Sequence, residues 1–248
     1  WSWSTLVAAP GVGRPRSAGR ALYSPMSAPT PLLIATGNPH KVEEIAAVLG
    51  ELGIACEGLD DLDHDYPEPE EHGETFEANA RIKATAYAAM TGRICLADDS
   101  GLEIDALDGK PGVHSARYAA DRFAPDADRA HRDAANNALV IEQLERVSGA
   151  HRTARFVCAL CIATPRGDIL AEVRGTFEGR IGEPGEDRIP RGLNGFGYDP
   201  LFLIAPDYQR TSAELEPDAK NRVSHRGQAL RRLAESVKEG KLDALRSA

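Results

Sequence analysis

Cysteine is scarce in this chain: Cys56, Cys95, Cys158 and Cys161 are the only four in 248 residues. That density excludes a disulfide scaffold and fits a reducing compartment. Cys158 and Cys161 form a CxxC, but a zinc site needs a second ligand pair, which is missing. They lie in RFVCALCIAT, whose β-branched and apolar content predicts a buried strand. On a strand, residues three apart face opposite ways, so both are expected in the core. Long apolar runs are also lacking, and none approaches the roughly 18 residues of a membrane span. Basic residues are too few for a protein that tracks a polynucleotide: the formal net charge is -9, from 29 Lys and Arg against 38 Asp and Glu. Removing residues 1–28, which hold Arg14, Arg16, Arg20 and no acid, leaves 26 basic residues against 38 acidic, or -12. Polynucleotide binding draws on clustered Lys and Arg, so nucleic acid is not an expected partner. One triphosphate is still compatible with an acidic protein, provided metal ions and a few local cations neutralise it.

The first 28 residues lack a sustained apolar stretch and are rich in Gly, Pro, Ser and Arg. They read as a disordered leader or an appended remnant, with the native product expected to start near Met26. Residues 29–248 are expected to form one folded unit. Its first strand is Leu32 to Ala35, followed by a turn at Thr36-Gly37-Asn38-Pro39 and a helix with Val42, Ile45, Leu49 and Leu52 on one face. Asn38 suits the N-cap and Pro39 the first helical position. A second helix is predicted from Thr75 to Met90, stopped by Gly92. A buried strand from Arg93 to Ala97 is expected to end in a turn at Asp98-Asp99-Ser100-Gly101, after which Leu102, Ile104 and Ala106 alternate with polar residues as a returning strand. A long helix follows from about Asp128 to Val147. Strands Phe156 to Thr164 and Ile169 to Phe177 flank the turn Pro165-Arg166-Gly167-Asp168. The stretch from Gly179 to Gly197 is long enough to be a functional loop. A short strand, Leu201 to Ile204, and a final helix with Leu230, Leu233 and Val237 complete an α/β pattern with a mixed sheet.

Four segments could carry chemistry. Lys41 sits at a helix amino end that already carries partial positive charge, a conflict that an anion bound there would resolve. The spacing of a Walker P-loop is missing. Asp98 and Asp99 could bind a divalent cation or take a proton from water, although Asp, Ser and Gly also simply favour turns. Glu68, Glu70 and Glu71 could add a metal ligand or form a solvated loop. Asn194-Gly195-Phe196-Gly197-Tyr198-Asp199-Pro200 exposes backbone beside two aromatic rings, which could stack a base or pack into the core. Lys220, Asn221, Ser224, His225 and Arg226 cluster before the last helix, where acids are normally preferred.

Together ATGNPHK, EEHGETFEANARIKA, LADDSGLEIDAL, GKPGVHSARY, GFGYDPLF, TSAEL and KNRVSHRGQAL resemble the inosine triphosphate pyrophosphatase family, from Leu32 to about Leu233. The resemblance implies an elongated mixed sheet flanked by helices, two lobes around a nucleotide cleft, a homodimer, a cytoplasmic location and Mg2+ as cofactor. It also implies hydrolysis of ITP, dITP and XTP to monophosphate and pyrophosphate. On this resemblance Asp99 is the general base and a metal ligand with Glu71, and Lys41 joins Asp99 in catalysis. Thr36, Gly37, Asn38, Pro39, His40 and Lys41 become the triphosphate contacts, with Asn79 and Lys83 reaching the phosphates from one helix face and Ser100 beside the substrate. Phe196, Gly197, Tyr198 and Asp199 become the base loop, and Lys220, His225 and Arg226 the readers of the purine 6-keto edge. A nucleotide-binding regulator without turnover and a triphosphatase releasing the terminal phosphate are the rival readings.

Overall fold

The computed structural model describes residues 30–239, together with residue 1; the leader expected over residues 1–28 lies almost wholly outside the described residues. Six strands form one open sheet in the order β2-β1-β3-β4-β5-β6. They are β1 (Leu32–Ile34), β2 (Cys56–Gly58), β3 (Cys95–Ile104), β4 (Thr153–Ala163), β5 (Ile169–Ile181) and β6 (Phe202–Ile204). β1 runs parallel to β2 and β3, and the remaining pairs are antiparallel. Among the described residues five α-helices accompany them: α1 (Pro39–Gly50), α2 (Phe76–Thr91), α3 (Arg129–Gln143), α4 (Pro217–Val223) and α5 (His225–Lys238). Among the described residues no helix is long and apolar enough to cross a membrane.

Alternation along β4 builds two cores on opposite sides of the sheet. Cys158, Leu160 and Ile162 pack with Ile45 and Leu49 of α1 and Leu230, Leu233 and Val237 of α5. Val157, Ala159 and Cys161 pack with Phe76, Ala80, Ala84 and Tyr87 of α2. The two cysteines of the CxxC are therefore buried on different faces, as expected of a strand, and all four cysteines are free. A third core, at the far end of the sheet, joins Leu102, Ile104, Phe156, Phe177 and Phe202 to Val140 and Leu144 of and beside α3.

Helix ends follow local chemistry. Thr75 Oγ1 accepts from Ala78 N at 3.1 Å to open α2, and Gly92, at φ 69°, closes it. Ser224 Oγ opens α5 by accepting from Gly227 N. α3 differs from expectation by ending at Gln143 instead of Val147. The buried Arg152 guanidinium donates to the carbonyls of Leu144 (2.7 Å), Val147 (2.8 Å) and Gly182 (2.8 Å), which holds the chain in a turn where a helix would have continued. β5 also runs on to Ile181, so the loop expected from Gly179 begins after it.

The main departure lies in β3. Asp98-Asp99-Ser100-Gly101 is no turn but the middle of one continuous strand, because β4 offers Leu160, Ala159, Cys158 and Val157 as antiparallel partners across it. Tertiary pairing overrides the turn preference of these residues. On the other edge, β1 pairs β3 only at Leu33↔Cys95 and Ile34↔Leu96, with Ala35 N donating to Leu96 O. Backbone pairing there resumes at the Glu103↔Pro111 bridge. The interval between is bare of a neighbouring strand, and the Ser115 hydroxyl closes its far end by accepting from Leu102 N at 2.8 Å. Gly101 is required at this closure, since a Cβ there would come within 2.3 Å of Ser115 Oγ and 2.8 Å of Gly112 O.

Replacing Arg152 with leucine strands three buried carbonyls. Urea denaturation should show a loss of about 2 to 4 kcal/mol; a loss within about 0.5 kcal/mol would show that the turn after α3 holds without the guanidinium.

Candidate functional site

The gap beside β3 is where the chemistry collects. A strand sends successive side chains to opposite faces, and so Asp98 and Ser100 point toward α1 and α5, while Asp99 points toward α2. Because no strand lies alongside at this level, both faces open into one cleft of about 690 Å³. That volume lies within the range of small-molecule sites. Its position, at the carboxyl end of β1 where the chain passes into α1, is the usual place for a ligand in an open α/β sheet.

Asp98 is fully buried at the floor. One carboxylate oxygen meets the Lys41 ammonium and the Ser100 hydroxyl, the latter at 3.0 Å. The other accepts from Arg226 Nε at 2.9 Å and from the Cys158 thiol at 3.1 Å. Burial alone would raise its pKa, but Arg226 and Lys41 hold it well below the usual carboxylate range. Burial and the neighbouring Asp98 charge push the Cys158 thiol well up, so it remains a protonated donor. Lys41 sits in the first turn of α1, and Arg226 is the second residue of α5. Two cations thus lie at two helix amino ends, and the anion that this arrangement requires is the protein's own Asp98. Arg226 also donates to Glu44 Oε2 at 2.7 Å and to Ser100 Oγ at 3.2 Å, so Nε and both terminal nitrogens have protein partners. Glu44 was missed in the sequence, although it lies three residues from Lys41 on one helical face.

Asp99 has different surroundings. Lys83 Nζ lies 3.2 Å from both Asp99 Oδ1 and Glu71 Oε1, while Asp99 Oδ2 is buried with no hydrogen-bond partner. Burial raises the Asp99 pKa; Lys83 pulls it back and Glu71 pushes it up again, leaving it above the ordinary value. Burial disfavours the Lys83 charge, but Asp99 and Glu71 more than offset this and raise its pKa. Glu71 and Asp99 are the two carboxylates that could share a cation. Asn79 does not reach the cleft as expected. It is fully buried, and its Oδ1 accepts from Gly73 N at 2.8 Å, bracing the loop that carries Glu71. The reason is that the helix face of Asn79 turns under that loop, where a Cβ on Gly73 would come within 2.6 Å of the amide oxygen.

At the other end, Phe196 N donates to Asp199 Oδ2 at 2.8 Å, and Lys220 Nζ lies 2.5 Å from the same oxygen. Tyr198 belongs to the far core and donates its hydroxyl to Ser115 O at 2.8 Å. Of the two loop rings, Phe196 is therefore the one not packed into that core. His225 stacks on Phe156, with centroids 5.2 Å apart and planes at 20°. Burial and the adjacent Arg226 charge hold its pKa well below the imidazole norm, so the ring is neutral. α3 contributes a clamp absent from the sequence reading. Asp133 Oδ2 accepts from Gly197 N at 2.9 Å, and Asn137 Nδ2 donates to Gly197 O at 3.0 Å. The four-residue spacing of Asp133 and Asn137 on a helix was the available signal.

The cleft is thus lined by Thr36, Gly37, Asn38, Lys41, Glu71, Lys83, Asp99, Ser100, Phe196, Gly197, Tyr198, Asp199, Lys220, His225 and Arg226 from seven separate stretches of chain. Pro39 begins α1 and is not part of this lining. The His40 side chain lies outside the described residues.

The description "Ham1 family" matches residues 32–236. The chain belongs to the Ham1 family. Among its relatives, a dITP/XTP pyrophosphatase of Exiguobacterium sp. is 54% identical over 207 residues, 83% of this chain and 96% of that protein. A dITP/XTP pyrophosphatase of Nitratidesulfovibrio vulgaris is 48% identical over 205 residues, 82% of this chain and 94% of that one. The HAM1 protein from Coxiella burnetii, 40% identical, superposes with a TM-score of 0.71, covering 84% of this chain and 98% of the other. A nucleoside-triphosphatase / dITP/XTP pyrophosphatase from Mycobacterium abscessus, 44% identical, gives 0.64 over 82% and 98%. The open mixed sheet described above is the architecture of this Ham1 chain and of those structures.

The two adjacent aspartates should separate in stability. Asp98→Asn breaks buried pairs with two cations and should cost about 3 to 5 kcal/mol in urea denaturation. Asp99→Asn removes a charge that the folded state disfavours and should stay within about 1 kcal/mol of the parent. Equal losses would contradict the division of roles along β3.

Proposed function

We propose that this chain hydrolyses deaminated purine nucleoside triphosphates, dITP, ITP and XTP, to the monophosphate and pyrophosphate. The observation that carries the reading is the buried, unpartnered Asp99 Oδ2 beside Glu71 and Lys83, in a cleft whose opposite end carries the Phe196 ring. The Exiguobacterium and Nitratidesulfovibrio relatives, both dITP/XTP pyrophosphatases, support the same activity.

The turn Thr36-Gly37-Asn38 and the amino end of α1 receive phosphate oxygens, with Lys41 at hand. Asp99 accepts the proton of a water that attacks the α-phosphorus; the bond to the bridging oxygen breaks, and pyrophosphate leaves with that oxygen. Positioning and charge stabilisation carry most of such a reaction. Phe196 supplies a stacking face, and Lys220, 5.3 Å from its ring, together with the neutral His225 that lines the same cleft, meets the polar edge of the purine. A site built on donors to a 6-keto oxygen leaves an amino group unmatched, which can discriminate by roughly 10⁴-fold. Arg226, held by Asp98 and Glu44, acts in this reading chiefly by fixing the floor of the cleft.

Charge argues for a divalent cation. At the phosphate end Lys41, Lys83 and Arg226 face Glu44, Glu71, Asp98 and Asp99, three cationic groups against four carboxylates. A triphosphate would be repelled there without further positive charge. Among the described residues no group of three or more His, Cys, Asp and Glu side chains is arranged to hold a metal. Magnesium is commonly held by one or two carboxylates and the substrate phosphates, and Glu71 and Asp99 would hold it here. When bound it would neutralise phosphate charge. A homodimer in the cytoplasm completes the proposal, the four unpaired cysteines being compatible with a reducing compartment.

Anion-exchange separation of the products, with a pyrophosphate assay, tests the reading. Expected are monophosphate and pyrophosphate from dITP and XTP, little from dATP, and none after chelation with EDTA. Orthophosphate release, or equal use of dATP, would reject it. Asp99→Asn should lower kcat by at least about 100-fold with Kd for nucleotide little changed, and Lys41→Ala should act mainly on KM; an Asp99→Asn protein with the parent's kcat removes Asp99 from catalysis.

A further inference from the structure

Cations lie over the aromatic ring at the base end of the cleft. The Arg129 guanidinium carbon lies 4.3 Å from the centroid of the Phe196 ring, and Lys220 Nζ lies 5.3 Å from the same ring. Arg129, Arg132, Asp133 and Phe196 all line the cleft. The Arg129 contact is anchored through α3 itself. Arg129 Nε is 3.7 Å from Asp133, Asp133 accepts from Gly197 N, and Asn137 donates to Gly197 O. The helix that carries Arg129 is thereby hydrogen-bonded to the residue after Phe196, which sets the start of α3 beside the ring, while the guanidinium itself stays half exposed.

Both carboxylates here are already engaged. Asp133 is occupied by Gly197 N and Arg129, and Asp199 by Phe196 N and Lys220. Arg129, Arg132 and Lys220 therefore outnumber the acids by three to two, in contrast to the carboxylate excess at the phosphate end. A planar base stacked on Phe196 either takes the place of the guanidinium or lies on the opposite face of a ring that the guanidinium covers. In both arrangements the base sits in a positive field.

We infer that Arg129 is a specificity-determining residue that favours a purine carrying negative charge on its ring over a neutral one. Among 6-keto purines that distinction separates xanthine, whose ring loses a proton near neutral pH, from hypoxanthine, which keeps its proton until well above it. The inference rests on the activity proposed above for its substrates, but binding of the monophosphate products tests it without turnover.

Dissociation constants for XMP and IMP, measured by calorimetry at one pH slightly above neutral, are to be compared for the parent, Arg129→Gln and Arg129→Lys. The parent should bind XMP more tightly than IMP. Arg129→Gln should shrink the XMP-to-IMP preference by about 2- to 5-fold, the range expected for losing a solvent-exposed cation beside an anion, and Arg129→Lys should restore part of it. A preference unchanged in Arg129→Gln, or no binding of either monophosphate by the parent, overturns the inference. Turnover of XTP and ITP by the parent is a separate readout: its absence would sink the proposed activity while leaving the binding comparison to decide the role of Arg129.

Discussion

A carboxylate with no access to water, Asp98, has to be compensated from every direction, and the arrangement that does so assembles one end of the cleft. Lys41 reaches it from the first turn of α1, Arg226 from the first turn of α5, Ser100 from the same strand and Cys158 from the neighbouring one. Each cation would be poorly placed at a helix amino end by itself. Each becomes favourable because one buried anion serves both. An isolated buried charge is costly to tolerate, so α1, α5 and the sheet are constrained to one relative placement. Arg226 extends that constraint to Glu44.

Asp99 follows immediately in the chain and has nearly the opposite environment. Strand geometry alone sends it to the α2 side, where a second carboxylate, Glu71, competes for the same Lys83. One aspartate is locked ionised by surplus cations; its neighbour keeps a buried oxygen uncommitted and a raised pKa. That difference suits the first to structure and the second to reaction. Both can face one cleft only because β1 stops two residues into its pairing with β3, leaving the strand edge open at this level.

The two ends of the cleft are also electrostatically unlike. Carboxylates outnumber cations around Asp99, whereas Arg129 and Lys220 both lie over the Phe196 ring, with Asp133 and Asp199 already bonded to the loop backbone. One end with carboxylates in excess and another with cations over an aromatic ring give the cleft an electrostatic direction.

Much of this was legible from residue order. Helical spacing of Ile45 and Leu49 and of Leu230, Leu233 and Val237, the helix start near Thr75 and its stop at Gly92, the hairpin at Pro165 to Asp168 and the opposed faces of Cys158 and Cys161 all reflect local signals, which the chain carries within a few residues. The motifs around Thr36, Asp99, Phe196 and Lys220 carried the family resemblance for the same reason. Tertiary structure decided what needs a distant partner. β4 turned Asp98 to Gly101 from a turn into a strand, Arg152 cut α3 short, Asn79 was drawn under Gly73, and the anion sought for Lys41 was found 57 residues along the chain at Asp98. Spacing specifies which face a side chain takes, but burial and charge compensation are set by whatever the fold brings against that face.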